Sequence, residues 1–171
     1  MSRLIKLRKG SIGVLVDSGT LTEKVIERFT GESSHVFCYV GDGEITEALF
    51  REGVVRGGIE RYMVDHRMFV VMFEPREDVF SDDDVENVCK KWLDDVGKRY
   101  DVRTVLSHAF SWLKKRNDHM RICSEHAAHG YEGLHKFRGK HYSECSPHDI
   151  FFDQAFMGYD KFRLKRLYDL K

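Results

Sequence analysis

The chain has 171 residues, of which 42% are hydrophobic and 33% charged, and these proportions predict one soluble globular domain spanning residues 1–171. Its 28 Lys and Arg residues balance 28 Asp and Glu residues, so we expect no general nucleic-acid partner, which would require a basic excess. No stretch approaches the ~20 apolar residues of a membrane span, and no apolar signal-peptide core follows the basic N-terminus. The expected location is therefore cytoplasmic, or inside a virus or phage particle.

The first half of the chain predicts short strands. Apolar, β-branched and aromatic residues are concentrated in five runs, at 11–17, 34–40, 44–50, 53–56 and 68–73. Gly41-Asp42-Gly43 separates the second run from the third and predicts a hairpin turn, while Pro75 ends the last run. A short amphipathic helix or turn is expected at 22–30, before Gly31.

The second half predicts helices. Ser81 is a suitable N-cap, aspartates follow in the first turn, and an apolar stripe continues at helical spacing toward Gly97. This stripe consists of Val85, Val88, Cys89, Trp92 and Val96. Further helices are expected at 102–116 and 122–130, and 146–149 predicts a turn into a short helix, whereas 162–170 fits a strand or a helix. Strands followed by helices indicate an α+β domain, with helices packed on an antiparallel sheet.

Cys123 is the candidate nucleophile. It lies near the N-terminus of the helix expected at 122–130, where the positive end of the helix dipole stabilises a thiolate. On this residue alone, a buried cysteine that only packs is the alternative. The other cysteines, Cys38, Cys89 and Cys145, form no CxxC pair, so we expect neither a disulfide framework nor a standard zinc-finger motif.

His35 and Glu47 are the candidates for a base and for the residue that orients it. His35 begins the second strand, and an imidazole beside a thiol can accept its proton and later protonate a leaving group. If the turn at 41–43 is a three-residue loop with a G1 bulge at Gly43, Phe37 pairs with Glu47. His35 and Glu47 are then diagonal neighbours on one face, ~7–8 Å apart. A two-residue loop would shift the register and send Glu47 to the opposite face. A surface histidine and a solvated strand carboxylate are the alternatives.

The order of these residues resembles that of circularly permuted papain-like proteins of the NlpC type, including the YiiX-like group, and lecithin:retinol acyltransferases are similar in layout. In those proteins a histidine opens one strand, a polar residue lies on the next, and the cysteine comes last, at a helix start. The segment GESSHVFCYVGDGEITEALFREGVVRGG, residues 31–58, resembles their strand–hairpin–strand unit. Three later stretches are also similar to family motifs: Gly97-Lys98-Arg99-Tyr100-Asp101, Cys123-Ser124-Glu125 and Ser146-Pro147-His148-Asp149.

The resemblance, which spans roughly residues 9–150, implies a permuted papain-like fold and a cysteine hydrolase of amide or ester bonds: an amidase, peptidase, thioesterase or acyltransferase. Cys123 would attack a carbonyl carbon, His35 would move the proton, and Glu47 would hold the imidazole while an acyl-enzyme forms. The substrate would be a small molecule, a lipid or a peptide, and no cofactor or metal is implied. His126 departs from the family pattern, in which apolar residues follow Cys-Ser-Glu. It could crowd the pocket, contact substrate or bind a metal.

Two other functions stay open from the sequence. Cys123, His126 and His129 follow one another at i, i+3 spacing on the expected helix, so a zinc-binding module is one alternative, with His119 or Cys145 as the fourth ligand. The other is a catalytically inactive binding protein of the same fold, although all three catalytic positions hold chemically competent residues.

Overall fold

The computed structural model describes residues 7–16, 33–62, 69–101, 120–152 and 162–166. These residues form an α+β structure in which helices pack on an antiparallel sheet. The helices predicted at 22–30 and 102–116 and the candidate zinc ligand His119 lie outside the described residues.

Six strands form the main sheet, in the order β4-β3-β2-β1-β5-β8, and every neighbouring pair is antiparallel. Their bounds are β1 Ile12–Val16, β2 Ser33–Gly41, β3 Glu44–Leu49, β4 Gly53–Gly58, β5 Phe69–Pro75 and β8 Phe162–Arg166. A separate two-stranded parallel pair, β6 Arg99–Tyr100 and β7 Met120–Arg121, was not predicted from the sequence. The sequence left a strand or a helix open at 162–170, and residues 162–166 form strand β8.

Three α-helices and three short 3-10 helices complete the described structure. The α-helices are α1 Asp82–Asp94, α2 Cys123–Gly130 and α3 Pro147–Phe152, and the 3-10 helices are Ile59–Tyr62, Phe137–Gly139 and Tyr142–Glu144. The predicted helix after Cys123 and the turn into a short helix after Ser146 are thus confirmed. In the described part of the chain, no helix is long and apolar enough to cross a membrane.

Apolar residues cover both faces of the sheet. One face packs against the helices through a cluster that includes Val36, Cys38, Trp92 and Ala127, and Cys123 belongs to the same cluster. The opposite face carries a smaller cluster around Phe37. Since side chains alternate along a strand, β2 contributes to both clusters and is buried on both sides.

Helix α1 forms where the capping signal and the stripe predicted it. The Ser81 side chain accepts a hydrogen bond from the backbone of Asp84, whose carboxylate in turn accepts one from the Ser81 backbone. The stripe is buried from Val85 to Trp92, but the helix ends at Asp94 with Asp95 as C-cap. Val96 lies beyond that end and is exposed, so its assignment to the buried stripe is wrong.

The hairpin between β2 and β3 has a shorter loop than predicted. Gly41 pairs with Glu44, so the loop holds two residues, Asp42 and Gly43, with φ of 52° and 79°. Two successive positive φ values are typical of a type I′ turn, for which Gly is favoured. The three-residue loop predicted at 41–43 is therefore wrong. A register irregularity between Tyr39 and Gly41 adds one residue to β2 and restores the expected pairing farther along the hairpin.

Candidate active site

Cys123 is the first residue of α2 and is buried. The helix is fixed against its surroundings at two further points: the indole Nε1 of Trp92 donates to the Ala127 carbonyl at 3.2 Å, and the Ser124 hydroxyl donates to the Cys145 carbonyl at 2.6 Å. Backbone N–H groups in the first turn of a helix have no intrahelical acceptor, and their dipoles favour an anion there. These contacts fix α2 so that the Cys123 side chain lies at the N-terminus of the helix.

His35 connects the thiol to a carboxylate. Its Nε2 lies 2.9 Å from Glu47 Oε2, and the imidazole also interacts with the Cys123 thiol. Burial would lower the pKa of His35, but hydrogen bonds to Cys123 and Glu47 and their negative charges outweigh it and raise the pKa to about 10. At neutral pH the site therefore favours an imidazolium, which stabilises a neighbouring thiolate.

Glu47 lies opposite Phe37 in the β2–β3 register and faces His35, as the sequence predicts, with its side chain fully buried. Burial would raise the pKa of Glu47, but the hydrogen bond and charge of His35, together with Tyr62 and Arg61, lower it. The group is therefore a carboxylate with several donors around it. A carboxylate that accepts from Nε2 fixes both the orientation and the protonation of the imidazole.

Two residues of this site escaped the sequence analysis. Arg61 and Tyr62, at the end of the 3-10 helix that follows β4, both donate hydrogen bonds to Glu47, Arg61 to Oε1 and Tyr62 to Oε2. The Tyr62 ring also stacks on Phe37, with centroids 4.6 Å apart and an interplanar angle of 6°. No sequence motif indicates that Arg61 and Tyr62 contact Glu47, because these contacts depend on where the chain turns after β4.

A second carboxyl group lies close to Cys123. Glu125 is buried in the first turn of α2, and its Oε2 accepts the Ile122 backbone N–H at 3.2 Å. Burial, reinforced by the charge of Asp101, raises the pKa of Glu125 to about 8 despite the Ile122 hydrogen bond. At neutral pH Glu125 is therefore protonated and adds no negative charge that would oppose a thiolate.

His126 and His129 do not converge with Cys123 on a metal site. Both direct Nδ1 at Asp95 Oδ2, at 3.2 and 3.0 Å, and the Nε2 of His126 lies 2.9 Å from the Thr46 hydroxyl. Burial lowers the pKa of His126 even beside Asp95, so its imidazole is neutral. Among the described residues, no group of three His, Cys, Asp or Glu side chains is arranged to hold a metal ion. His126 is thus a buried structural residue that ties α2 to β3 and to the end of α1.

The remaining cysteines differ from Cys123 in their surroundings. Burial raises the pKa of Cys38 well above its ordinary value and that of Cys89 to about 11. Cys145 is buried, and its thiol donates to the His141 carbonyl at 3.6 Å. The contact with an imidazole that is itself bonded to a carboxylate therefore distinguishes Cys123.

No protein-family model matches the sequence, and no curated protein is significantly similar to it.

Proposed function

We propose that the protein is a thiol hydrolase or acyltransferase that cleaves an amide or ester bond through Cys123, His35 and Glu47. The observation that carries this proposal is the His35 imidazole, which interacts with the Cys123 thiol at the start of a helix and lies 2.9 Å from the buried Glu47 carboxylate. Nucleophile, base and orienting group in that order are the general arrangement of a nucleophilic catalyst.

In the first half of the reaction, the Cys123 thiolate attacks the carbonyl carbon of the substrate. The carbonyl electrons move onto oxygen, where backbone N–H groups at the start of α2, including that of Cys123, stabilise the negative charge. The His35 imidazolium then gives its proton to the leaving amine or alcohol as the tetrahedral intermediate collapses. The products are a free amine or alcohol and a thioester on Cys123.

In the second half, water or an amine attacks the thioester. His35, now neutral, accepts the proton of the attacking group, and the thiolate leaves as the acyl product is released. Glu47 keeps its charge throughout and stabilises the imidazolium each time it forms. The choice of acceptor, water or an amine, decides between hydrolysis and acyl transfer.

We also propose that the fold is a permuted papain-like fold of the NlpC type. The support is the chain order: a histidine on one strand, a carboxylate on the next strand, and the cysteine afterwards at a helix start, as in the family that the sequence resembles. A cytoplasmic or virus-associated location remains a prediction from the sequence.

Trapping experiments test the function directly. The purified protein would be incubated with activated acyl esters and thioesters, and an acyl adduct on the Cys123 peptide would be sought by mass spectrometry. The rate of iodoacetamide alkylation of Cys123 would also be measured against pH for the parent, His35→Ala and Glu47→Gln. A free thiol has a pKa of about 8.5, so loss of the imidazolium should slow alkylation at pH 6 about ten- to a hundredfold.

The same data separate the alternatives. Superimposable alkylation curves for the parent and His35→Ala would mean that the imidazole does not activate the thiol, and the proposed mechanism would fail. A zinc module predicts protection of Cys123 that chelator removes. An inactive binding protein predicts a slow thiol and no acyl adduct with any ester.

A further inference from the structure

Glu47 can orient His35 only while it is a carboxylate, but burial of its side chain favours the protonated acid. The side chain is fully buried, and an ionised carboxyl group away from water is costly unless donors surround it. His35 supplies one hydrogen bond, through Nε2. A buried glutamic acid with only this partner would be expected to take up a proton near neutral pH.

Arg61 and Tyr62 supply the missing donors. The guanidinium of Arg61, whose side chain is 41% exposed, donates to Oε1, and the Tyr62 hydroxyl donates to the same oxygen that His35 contacts. Glu47 therefore has one neighbour with a permanent positive charge and one neutral donor, besides the imidazole. Burial and the Glu47 charge both raise the pKa of Tyr62, so its hydroxyl keeps its proton and remains a donor.

We propose that Arg61 and Tyr62 are positioning residues that hold Glu47 as an oriented carboxylate and, through it, keep the His35 imidazolium oriented beside Cys123. This inference rests on the proposed function, since it assigns a role within the same site. Neither residue is proposed to touch substrate, and both act through Glu47.

The other titratable groups around this site do not supply the same effect. Cys123 from α2 acts on His35 and would add negative charge as a thiolate, whereas Cys38 from β2, which interacts with Glu47, has its pKa raised by burial and stays a neutral thiol. Arg61 is therefore the fixed cation among these neighbours.

Gly57 provides an unusually selective way to remove the Arg61 contact. A Cβ added to Gly57 would lie 1.8 Å from Arg61 Nη2 and 2.6 Å from its Cζ, so the guanidinium lies directly over this glycine. Because the obstructed atoms are at the end of a flexible side chain, Gly57→Ala should displace the guanidinium and leave the strand intact. It changes neither the charge of the protein nor the sequence of the 59–62 helix.

The test measures Cys123 alkylation by iodoacetamide against pH in Tyr62→Phe, Arg61→Gln and Gly57→Ala. Tyr62→Phe keeps the ring stacked on Phe37 and removes only the hydroxyl. Without one donor Glu47 takes up a proton at higher pH, and below that pH the imidazolium loses its anion. Loss of a charged hydrogen bond should therefore raise the pKa of Glu47. Because a neutral Glu47 no longer holds the imidazolium toward the sulfur, the acid limb of the Cys123 alkylation curve should rise by about 0.5–1 pH unit.

Matched controls remove the same chemical groups elsewhere. Tyr39→Phe deletes a hydroxyl that contacts the Gly43 N–H at 3.2 Å, and Arg56→Gln deletes a guanidinium paired with exposed Glu44. Both curves should coincide with that of the parent. Arg61→Lys keeps the positive charge, so its curve should lie close to that of the parent and show little of the shift expected for Arg61→Gln.

A Glu47→Gln background distinguishes positioning from a general structural effect. If Tyr62 acts through the carboxylate, Tyr62→Phe should cause no further shift once Glu47 is gone. A shift of equal size in both backgrounds would overturn the inference. The inference would also be overturned if the curves of the three test variants coincided with that of the parent while the His35→Ala curve differed. In that case the proposed function would still stand. If His35→Ala itself coincides with the parent, the proposed function fails as well. Should one variant not fold, the other two carry the test.

Discussion

Replacing Asp95 by asparagine removes a buried negative charge while preserving the shape of the side chain. Asp95 is the C-cap of α1, and four side chains meet at its carboxylate: Lys98, Arg121, His126 and His129. We call these five residues the Asp95 cluster. Because two members belong to α2, the substitution tests whether the cluster anchors the helix that carries Cys123.

The expected loss in the free energy of unfolding follows from how exposed each partner of Asp95 is. The side chains of Lys98 and His129 are 28% and 19% exposed, so water can replace much of what they lose. Arg121 is 4% exposed and lies 3.3 Å from Asp95, and breaking a buried ion pair costs about 3–5 kcal/mol. An asparagine oxygen can still accept hydrogen bonds from Arg121 and His126, so we expect Asp95→Asn to lower the free energy of unfolding by about 3 kcal/mol, the low end of that range.

The effect should depend on pH in a defined direction. Burial would raise the pKa of Asp95, but hydrogen bonds from His126, His129 and Lys98 hold it well below its ordinary value. A carboxyl group with a lowered folded pKa stabilises the protein above its unfolded pKa of about 3.9, and this contribution is lost as the pH falls through the folded pKa. The difference between parent and variant should be constant near neutral pH and shrink below about pH 4.

Urea denaturation followed by tryptophan fluorescence measures both quantities, because Trp92 is a buried core residue. Asp94→Asn is the matched control: it removes the same charge one residue earlier, at an exposed position, and should change stability by no more than about 0.5 kcal/mol. If Asp95→Asn and Asp94→Asn were equally stable at neutral pH, the Asp95 cluster would not anchor α2 and the reasoning would be refuted.

Three further predictions concern other parts of the structure. Iodoacetamide at neutral pH, with peptide mapping, should modify Cys123 first, and early modification of Cys89 would contradict the assignment of the nucleophile. Gly13→Ala should destabilise the protein by about 1–3 kcal/mol in urea denaturation, since a Cβ there would lie 2.2–2.5 Å from the Phe37 ring; an unchanged midpoint would show that the ring moves freely. Ser81→Ala should cost about 1 kcal/mol in the same assay by removing the α1 N-cap, and a loss below about 0.3 kcal/mol would count against that contact.

Sequence reasoning indicated the three residues of the candidate site because each has a local signal and because their order resembles that of a known family. Cys123 was found from its place at a helix start, and His35 from its place at the start of an apolar strand. Glu47 was indicated by an assumed pairing of Phe37 with Glu47. The structure has that pairing, but not the three-residue turn from which it was inferred. The loop has two residues rather than three, and the extra residue lies in β2, between Tyr39 and Gly41. Hydrophobic patterns fix which residues face the core, but they do not say where a bulge is placed.

The residues that sequence reasoning missed make contacts that no local pattern describes. Arg61 and Tyr62 reach Glu47 only because the chain turns back over the sheet after β4. Asp95 was counted as a helix residue, and its role depends on side chains from three later points of the chain. His126 was left with three alternative roles, and its burial between Thr46 and Asp95 excludes a place on the surface of a pocket. Such long-range polar contacts are specified by the tertiary fold, and a single sequence does not reveal them.

The two buried polar networks meet at one point of the backbone. Thr46 and Glu47 are adjacent in β3 and fully buried, and the alternation of a strand sends their side chains to opposite faces. Thr46 bonds to His126 of α2, whereas Glu47 bonds to His35. One strand therefore helps to position both the helix that carries Cys123 and the imidazole of His35. A slip of one residue between β2 and β3 would exchange the two side chains and break both networks at once. The bulge near Val40 matters for this reason, because it lets a two-residue loop coexist with the register that presents Glu47 to His35.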